Sequence, residues 1–481
     1  MIDCVLPTTR TMAGGDGSLK TIRYFLTLAI LFAPFAGARG QSAQATARQT
    51  PATQGATASQ TPTQTPTPSP SPIPGATGLA TGKEVVSKFN PSSLSRQGVL
   101  VETLDGQVVR EQYADQPFNP ASAVKLATAF AALKTFGPKH RFATTFWVTG
   151  TFDKTTGTVN GNLVVSGRDP SFHDEHAVAV ARELNQLGIK TVTGDLIVAP
   201  RFTMNFSASS QRSGERFYDT LDATRRPAVA ARAWAETRAA LHDADALQNT
   251  PSVAVMGAVY VDSVPKEARA ISTHYSPPLV DILKVLLCYS NNFMAERIGD
   301  QLGGAQGVMQ TVSNALGFRP GEFQLSTTNG LGINRVTPRQ MMKLYRALLD
   351  VLHDSDLKAA DILPVAGVDP GTLQKRYAMS LGRGSVIAKT GTLPRTDGGA
   401  SALVGQLKTR QGQTLLFVIF DQRGSVIRFR QQQDALVSEL QNARGGPSPF
   451  TYTPQTLAIR ISTSEFDSAR ASNLDEYEPT P

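Results

Sequence analysis

Cysteine is almost absent: Cys4 and Cys288 are the only two in 481 residues. That excludes a disulfide-stapled scaffold and any thiolate-rich metal site; Cys288 is read as a buried small apolar side chain. Histidine is scarce too, with six. None is joined to a serine by a motif, and no G-x-S-x-G elbow occurs, so an α/β-hydrolase triad is not supported. The cluster His173 Asp174 Glu175 His176 follows the Asp169 Pro170 turn and opens a helix, where acidic residues are favoured. It is read as a helix start, and no metal or other cofactor is expected. Long apolar runs are missing as well. Tyr24 to Ala33 is short for a membrane span and is followed by Pro34. With Lys20 and Arg23 before it and Ala36 Gly37 Ala38 after it, the run reads as an export signal over residues 1–38. The mature chain is expected in the periplasm or cell envelope. No nucleic-acid motif accompanies the net charge of +8, which suits peripheral contact with an acidic envelope surface and equally suits ordinary solubility.

Residues 39–82 are almost wholly Thr, Pro, Gln, Ser, Ala and Gly, a composition that buries nothing and implies a solvated linker. The stretch 444–481 turns Pro-rich and then acidic around Glu465, Asp467 and Asp475, and a disordered tail is expected there. Between them, Val99–Leu104 and Gln107–Val109 flank an Asp105 Gly106 turn, and Ala402–Leu407 and Thr414–Phe420 flank Gln411 Gly412, which predicts two hairpins. A helix is predicted from Val426 to Gln441. Strands at both ends with helices between them imply an α+β fold, one mainly antiparallel sheet assembled from distant sequence. Residues 141–254 are expected to form an inserted mixed α/β subdomain. It would interrupt a main domain made of residues 83–140 and 255–443. Within it, strands are predicted over Thr158–Val165 and Asp195–Val198, with a helix over Glu175–Leu187; 211–246 is Ala- and Arg-rich and predicted helical. No internal repeat is present.

Three short motifs stand in order: Ser122 Ala123 Val124 Lys125, Ser290 Asn291 Asn292, and Lys389 Thr390 Gly391. The first is a weak pattern alone, because Ser263–Lys266 and Ser355–Lys358 also fit S-x-x-K. Pro265 breaks the turn in one of these, and the other lies after the S-x-N segment. By contrast Ser122 opens Leu126–Leu133, a run of good helix formers in which positions 122, 125, 126, 129 and 133 share a face. Hydroxyl and amine thereby become neighbours.

The ordered trio resembles the class C low-molecular-mass penicillin-binding proteins, the D-Ala-D-Ala carboxypeptidase/endopeptidase family. Asn162–Pro170, Ser276–Leu279, Met294 Ala295 Glu296 and, most specifically, Leu363–Leu373 with Arg376 carry the likeness further. It spans roughly residues 83 to 443. The resemblance implies a serine β-lactamase/transpeptidase-like domain, an antiparallel sheet with an all-helical part. It also implies peptidoglycan peptides as substrates and β-lactams as covalent inhibitors. Ser122 would be the nucleophile and Lys125 its base, neutral through burial and a nearby cation such as Lys389. Ser290 would relay a proton to the leaving nitrogen, and Asn292 would hold the substrate amide. Lys389 and Thr390 would bind the terminal carboxylate, and the small Gly391 would let substrate add as a strand. The amides of Ser122 and Thr392 would form the oxyanion hole. The chain departs from the family in a shorter insertion, so that an accessory subdomain is missing or reduced. Thr328 Asn329 Gly330 Leu331 Gly332 Ile333 also stands where an Asp-Gly-Ser-Gly-Leu-Ser-like segment is usual. Carboxypeptidase and endopeptidase activities stay open. A serine β-lactamase and a non-catalytic peptidoglycan-binding protein are the alternatives, although no E-x-x-L-N segment is found to position a deacylating water.

Overall fold

A computed structural model describes residues 95–244, 249–378 and 382–468. The predicted signal and linker lie outside the described residues. Strands β1 (Arg96–Thr103) and β2 (Val108–Gln112) form the first hairpin and lead to helix α1 (Lys125–Phe136). After the insertion come α5 (Leu279–Tyr289), α6 (Asn292–Gln301), α7 (Gly304–Leu316), α8 (Pro338–His353) and the short α9 (Ala359–Ile362). The chain then returns through β12 (Val386–Leu393), β13 (Ala400–Lys408), β14 (Thr414–Gln422) and α10 (Val426–Asn442).

The two hairpins meet where β1 pairs antiparallel with β14, giving the order β12-β13-β14-β1-β2. Alternate residues of these strands enter two cores. Leu100, Val404, Leu416 and Val418 pack toward α1, α5 and α8. Val101, Leu403, Phe417 and Ile419 pack toward Leu436, Val437 and Leu440 of α10. Burial on both faces is why β13 and β14 read as nearly unbroken apolar runs. Strand β12 is left at the sheet edge.

The insertion holds β3 (Ala143–Val148), β4 (Thr151–Asp153), β5 (Thr158–Asn160), β6 (Leu163–Gly167), α2 (Asp174–Gln186), β7 (Thr191–Val192), β8 (Leu196–Val198), α3 (Ser210–Leu221), α4 (Ala228–Ala240), β9 (Ala254–Val255), β10 (Val259–Val261) and β11 (Arg269–Tyr275). The strand predicted over 158–165 is two strands in different sheets. Gly161 allows the change, since a Cβ there would lie 2.1 Å from the Thr149 carbonyl oxygen. The predicted boundary at 254 also falls short. Strand β11 pairs with β3 and β10 with β8, so the insert's sheet runs to Tyr275, and its entry and exit strands lie side by side.

The tail expectation is corrected further along. Residues 457–462 form α11 and 465–468 form β15, which adds antiparallel to β11. Composition misleads there because the segment needs no core of its own. It uses an existing sheet edge, the buried Leu457, and ion pairs from Arg460 to Asp281 (2.9 Å) and from Arg141 to Glu465 (2.7 Å). Tyr452 donates to Asp369 Oδ1 at 2.8 Å, and Asp369 Oδ2 pairs with Lys284 at 2.7 Å. Lys284 also donates to the carbonyls of Ala360 and Leu363. Both charges are fully buried, so removing one strands the other. Lys284→Met is expected to lower stability by about 3–5 kcal/mol, read as a drop in the urea midpoint at constant slope. Among the described residues no helix is long and apolar enough to cross a membrane.

Candidate active site

Ser122 does not sit within an α-helix. It lies in a 3₁₀ turn, Ala121–Val124, that runs into α1 at Lys125. In a 3₁₀ turn residues three apart eclipse, which brings Lys125 Nζ to 3.1 Å from Ser122 Oγ. The turn is held against strain. Ala121 has φ 47°, and its amide donates to Asn119 Oδ1 at 3.1 Å. Asn119 is itself buried, donating to Asp397 Oδ2 at 2.7 Å and to the Gly332 carbonyl at 2.9 Å.

Two glycines press on this turn. Gly330 has φ +87°, and a Cβ on it would stand 2.1 Å from the Ala121 carbonyl oxygen and 2.9 Å from Ser122 Cα. A Cβ on Gly391 would meet the Pro120 carbonyl oxygen at 2.5 Å and Ala121 Cβ at 3.1 Å. The space beside Gly391 is therefore filled by the serine turn, and this corrects the reason expected for a small residue there. Gly330→Ala is expected to cut acylation by penicillin at least about tenfold while the fold persists, because its strain falls on Ser122. Stopped-flow labelling alongside circular dichroism checks this.

The S-x-N segment is the break between two helices. Ser290 ends α5 in the left-handed region at φ 56°, and Asn291 caps α6 by accepting from the Met294 amide at 3.0 Å. Asn292 then begins α6, and its Oδ1 accepts from Lys125 Nζ at 2.7 Å. The Leu363–Leu373 segment explains itself here. The Thr372 amide donates to the Cys288 carbonyl at 2.9 Å, and Gly371 lets the chain approach that carbonyl, two residues before Ser290.

Lys125 and Lys389 are both fully buried. Beyond Ser122 and Asn292, Lys125 Nζ donates to the Asn329 carbonyl at 2.5 Å. Burial lowers its pKa to about 7, and the Glu296 carboxylate opposes the fall. A neutral amine has two N–H groups for Asn292 and Asn329 and one lone pair for the serine proton. Lys389 donates to Ser290 Oγ at 2.8 Å and to the Thr390 carbonyl at 2.6 Å. Burial, and next the charge of Lys125, hold it well below the ordinary lysine range. Repulsion between the two amines is mutual, so charge on either disfavours charge on the other, with burial the larger cause.

The hydrogen bonds of the two lysines thus form two groups, Ser122, Lys125 and Asn292 in one and Ser290 and Lys389 in the other. Thr390 is adjacent on β12, and Thr392 Oγ1 accepts from Arg430 Nη2 at 2.9 Å. Sequence reasoning passed over Glu296, Asn329, Asn119 and Gly330 as site residues. Glu296 had a signal, four residues after Asn292 on one helix face. Asn329 acts through its carbonyl, and its side chain donates to Glu296 at 2.7 Å. Side chains of His173, Glu175 and His176 lie within 4.8 Å of one another. The imidazoles are used locally: His176 Nδ1 accepts from the His173 amide at 3.0 Å, and His173 Nδ1 lies 2.5 Å from the Ser171 carbonyl.

A serine held against a buried lysine on a sheet-and-helix scaffold defines a serine acyltransferase site. The family model of the D-Ala-D-Ala carboxypeptidase 3 (S13) family matches residues 86–214 and 220–443, and the chain belongs to that family of serine peptidases. The chain is 26% identical over 450 residues to the D-alanyl-D-alanine carboxypeptidase of an Actinomadura species, covering 73% of this chain and 82% of the relative. It is 23% identical to D-alanyl-D-alanine carboxypeptidase DacB of Haemophilus influenzae over 68% of this chain and 85% of that one. Among solved structures, the penicillin G acylated predatory endopeptidase Bd3459 of Bdellovibrio bacteriovorus shares the fold. Its TM-score is 0.65 at 22% identity, over 78% of this chain and all of that one. Penicillin-binding protein 4 of H. influenzae aligns at a TM-score of 0.54 and 21% identity, over 73% of this chain and 97% of that one.

Proposed function

We propose that this enzyme hydrolyses peptidoglycan stem peptides after a D-alanine through an acyl-enzyme on Ser122. The observation that carries the reading is the 3.1 Å approach of Lys125 Nζ to Ser122 Oγ in a buried site where the amine titrates near neutrality. Ser122 Oγ attacks the D-alanyl carbonyl as its proton passes to Lys125 Nζ. The amides of Ser122 and Thr392 receive the oxyanion. The C–N bond then breaks as Ser290, bonded to Lys389, gives its hydroxyl proton to the departing amine and takes in its place the proton held by Lys125, which is left neutral to activate water. Asn292 orients the substrate amide, and Lys389 with Thr390 takes the terminal carboxylate, whose charge restores a proton to Lys389. Water cleaves the ester and frees the serine.

A β-lactam enters the same path, but its departing amine stays tethered, so its ester persists. A cross-linked peptide differs from a pentapeptide only in the group on the leaving side of the D-alanine. The edge strand β12 suits an added substrate strand in either case. Such substrates place the enzyme in the periplasm or cell envelope, where the net charge of +8 favours peripheral contact with acidic surfaces.

Mature protein incubated with pentapeptide and with cross-linked muropeptides, with and without penicillin, is expected to yield products one D-alanine lighter, uncoupled dimers, or both. Penicillin should block each. Muropeptides that bind without cleavage would overturn the reading, and a penicillin adduct that turns over in seconds rather than minutes would favour a β-lactamase.

A further inference from the structure

The two amides assigned to the oxyanion lie on segments far apart in sequence. The Ser122 amide belongs to the 3₁₀ turn, and the Thr392 amide to the edge strand β12. The strand's own pairing shows which way the second one faces. On the side opposite β13, Val365 bridges Ile387: the Ala388 amide donates to the Pro364 carbonyl, and the Val386 carbonyl accepts from the Ala366 amide. Backbone groups alternate sides along a strand, so the amides of Thr390 and Thr392 face that same open side. Two donors stabilise one oxyanion only at a set separation, so something must fix the turn against the strand.

A polar bridge runs from one segment to the other. Asn119 precedes the turn, and its side chain is fully committed: Oδ1 accepts from the Ala121 amide, while Nδ2 donates to the Gly332 carbonyl and to Asp397 Oδ2. Asp397 follows Thr392 by five residues, in the connection from β12 to β13. Its φ of 54° is a left-handed conformation that has to be compensated elsewhere. Arg335 grips the carboxylate as a fork, Nη1 to Oδ2 and Nη2 to Oδ1, each at 2.9 Å, and Nη1 also donates to the Asn334 carbonyl. The Arg335 bonds hold the Asp397 carboxyl below the usual carboxylate range, so it stays charged at neutral pH. Arg335 is itself anchored, because its neighbour Val336 exchanges two backbone hydrogen bonds with Phe118.

The sheet does not need this carboxylate. Strand β12 pairs with β13 without a break from Val386 with Leu407 to Leu393 with Ala400. We propose that Asp397, clamped by Arg335, is a positioning residue: acting through Asn119, it fixes the Ser122 turn against the exit of β12 and so sets the separation of the two oxyanion donors. This rests on the peptidase reading above. The bridge acts beside contacts that already press the two segments together, namely Gly391 against the Pro120 carbonyl and Ala121 against Leu393 and Ala400. Those contacts limit how closely the turn can approach; the bridge limits how far it can withdraw. Lys125 keeps its own bonds to Ser122, Asn292 and Asn329, so losing the bridge should slow acylation without changing the base.

Stopped-flow acylation by a chromogenic β-lactam, followed over its concentration, separates the acylation rate constant from the dissociation constant of the complex formed first. Asp397→Gly removes the carboxylate and accepts φ 54° without strain. It is expected to lower the rate constant about tenfold or more while the dissociation constant stays within about twofold of wild type. The rising limb of the rate near pH 7, set by Lys125, should not move. Asp397→Asn, whose amide oxygen can still accept from Asn119, should recover most of the loss. Arg339→Gln breaks the neighbouring ion pairs to Asp115 and Glu111 and should acylate as wild type does. Hydrogen exchange over residues 119–125 should quicken at least about tenfold in Asp397→Gly, with β14 unchanged.

An acylation rate constant in Asp397→Gly within about twofold of wild type overturns the proposal. So does a loss carried by the dissociation constant, a shifted pH limb, or an Asp397→Asn variant as slow as Asp397→Gly. Each of these leaves the peptidase reading standing, because the wild type still acylates. If the wild type neither forms a β-lactam adduct nor releases D-alanine from peptides, the peptidase reading fails. Hydrogen exchange then decides the bridge alone: residues 119–125 exchanging at the wild-type rate in Asp397→Gly would show that Asp397 does not hold the turn.

Discussion

Ser122→Ala is expected to remove covalent labelling by a fluorescent penicillin altogether and to lower D-alanine release by roughly 10⁴-fold or more. The reason lies in connectivity. Ser122 Oγ meets Lys125 Nζ at 3.1 Å, and Lys125 is the residue beside it whose amine titrates near neutrality. No other S-x-x-K serine is so placed, since Ser355 donates to the Val351 carbonyl and Ser263 to Asp262. Stability should stay within about 1 kcal/mol of wild type, because Lys125 keeps its bonds to Asn292 and Asn329 when the hydroxyl is lost. Loss of labelling with an unchanged melting temperature therefore isolates the nucleophile. Labelling that survives the substitution would move the nucleophile elsewhere and sink the assignment.

How much of this was legible in the sequence depended on whether a residue acts by its side chain and with near neighbours. Ser122 and Lys125 are three apart, so any helical turn makes them adjacent, and the pairing was readable even though the turn is 3₁₀. The order of the three motifs was readable because each carries its own chemistry. Asn329 was not, because it offers Lys125 a backbone carbonyl, which every residue has. Gly391 was identified for its size, but what the size accommodates, the Pro120 carbonyl, comes from 271 residues away in sequence. The tail was misjudged for a related reason. Its charges are satisfied by Arg141, Asp281 and the edge of β11, all supplied by distant segments. Composition reports what a segment can bury alone and is silent about a place already built for it.

Lys125→Met is expected to retain the fold and lose acylation, and the pH profile says why. Burial lowers the Lys125 pKa to about 7, so the amine is mostly charged below that pH and mostly neutral above it. Only the neutral amine accepts the serine proton, so the acylation rate should rise with pH through a limb centred near 7 and then level off. Glu296 holds that pKa up; Glu296→Gln removes the charge, and the limb should move to lower pH. Stability follows the same linkage. Between about 7 and 10.5 the unfolded chain keeps a proton on this lysine that the folded chain sheds, so its contribution is greatest above 10.5 and is lost as pH falls to 7. Methionine fills similar volume without a buried charge, so the variant should lose part of this slope while staying at least as stable near pH 6. Acylation rates and urea midpoints across pH 5–10 check both halves at once. A rate that ignores pH through 7, or that shifts upward in Glu296→Gln, would remove Lys125 from the role of base.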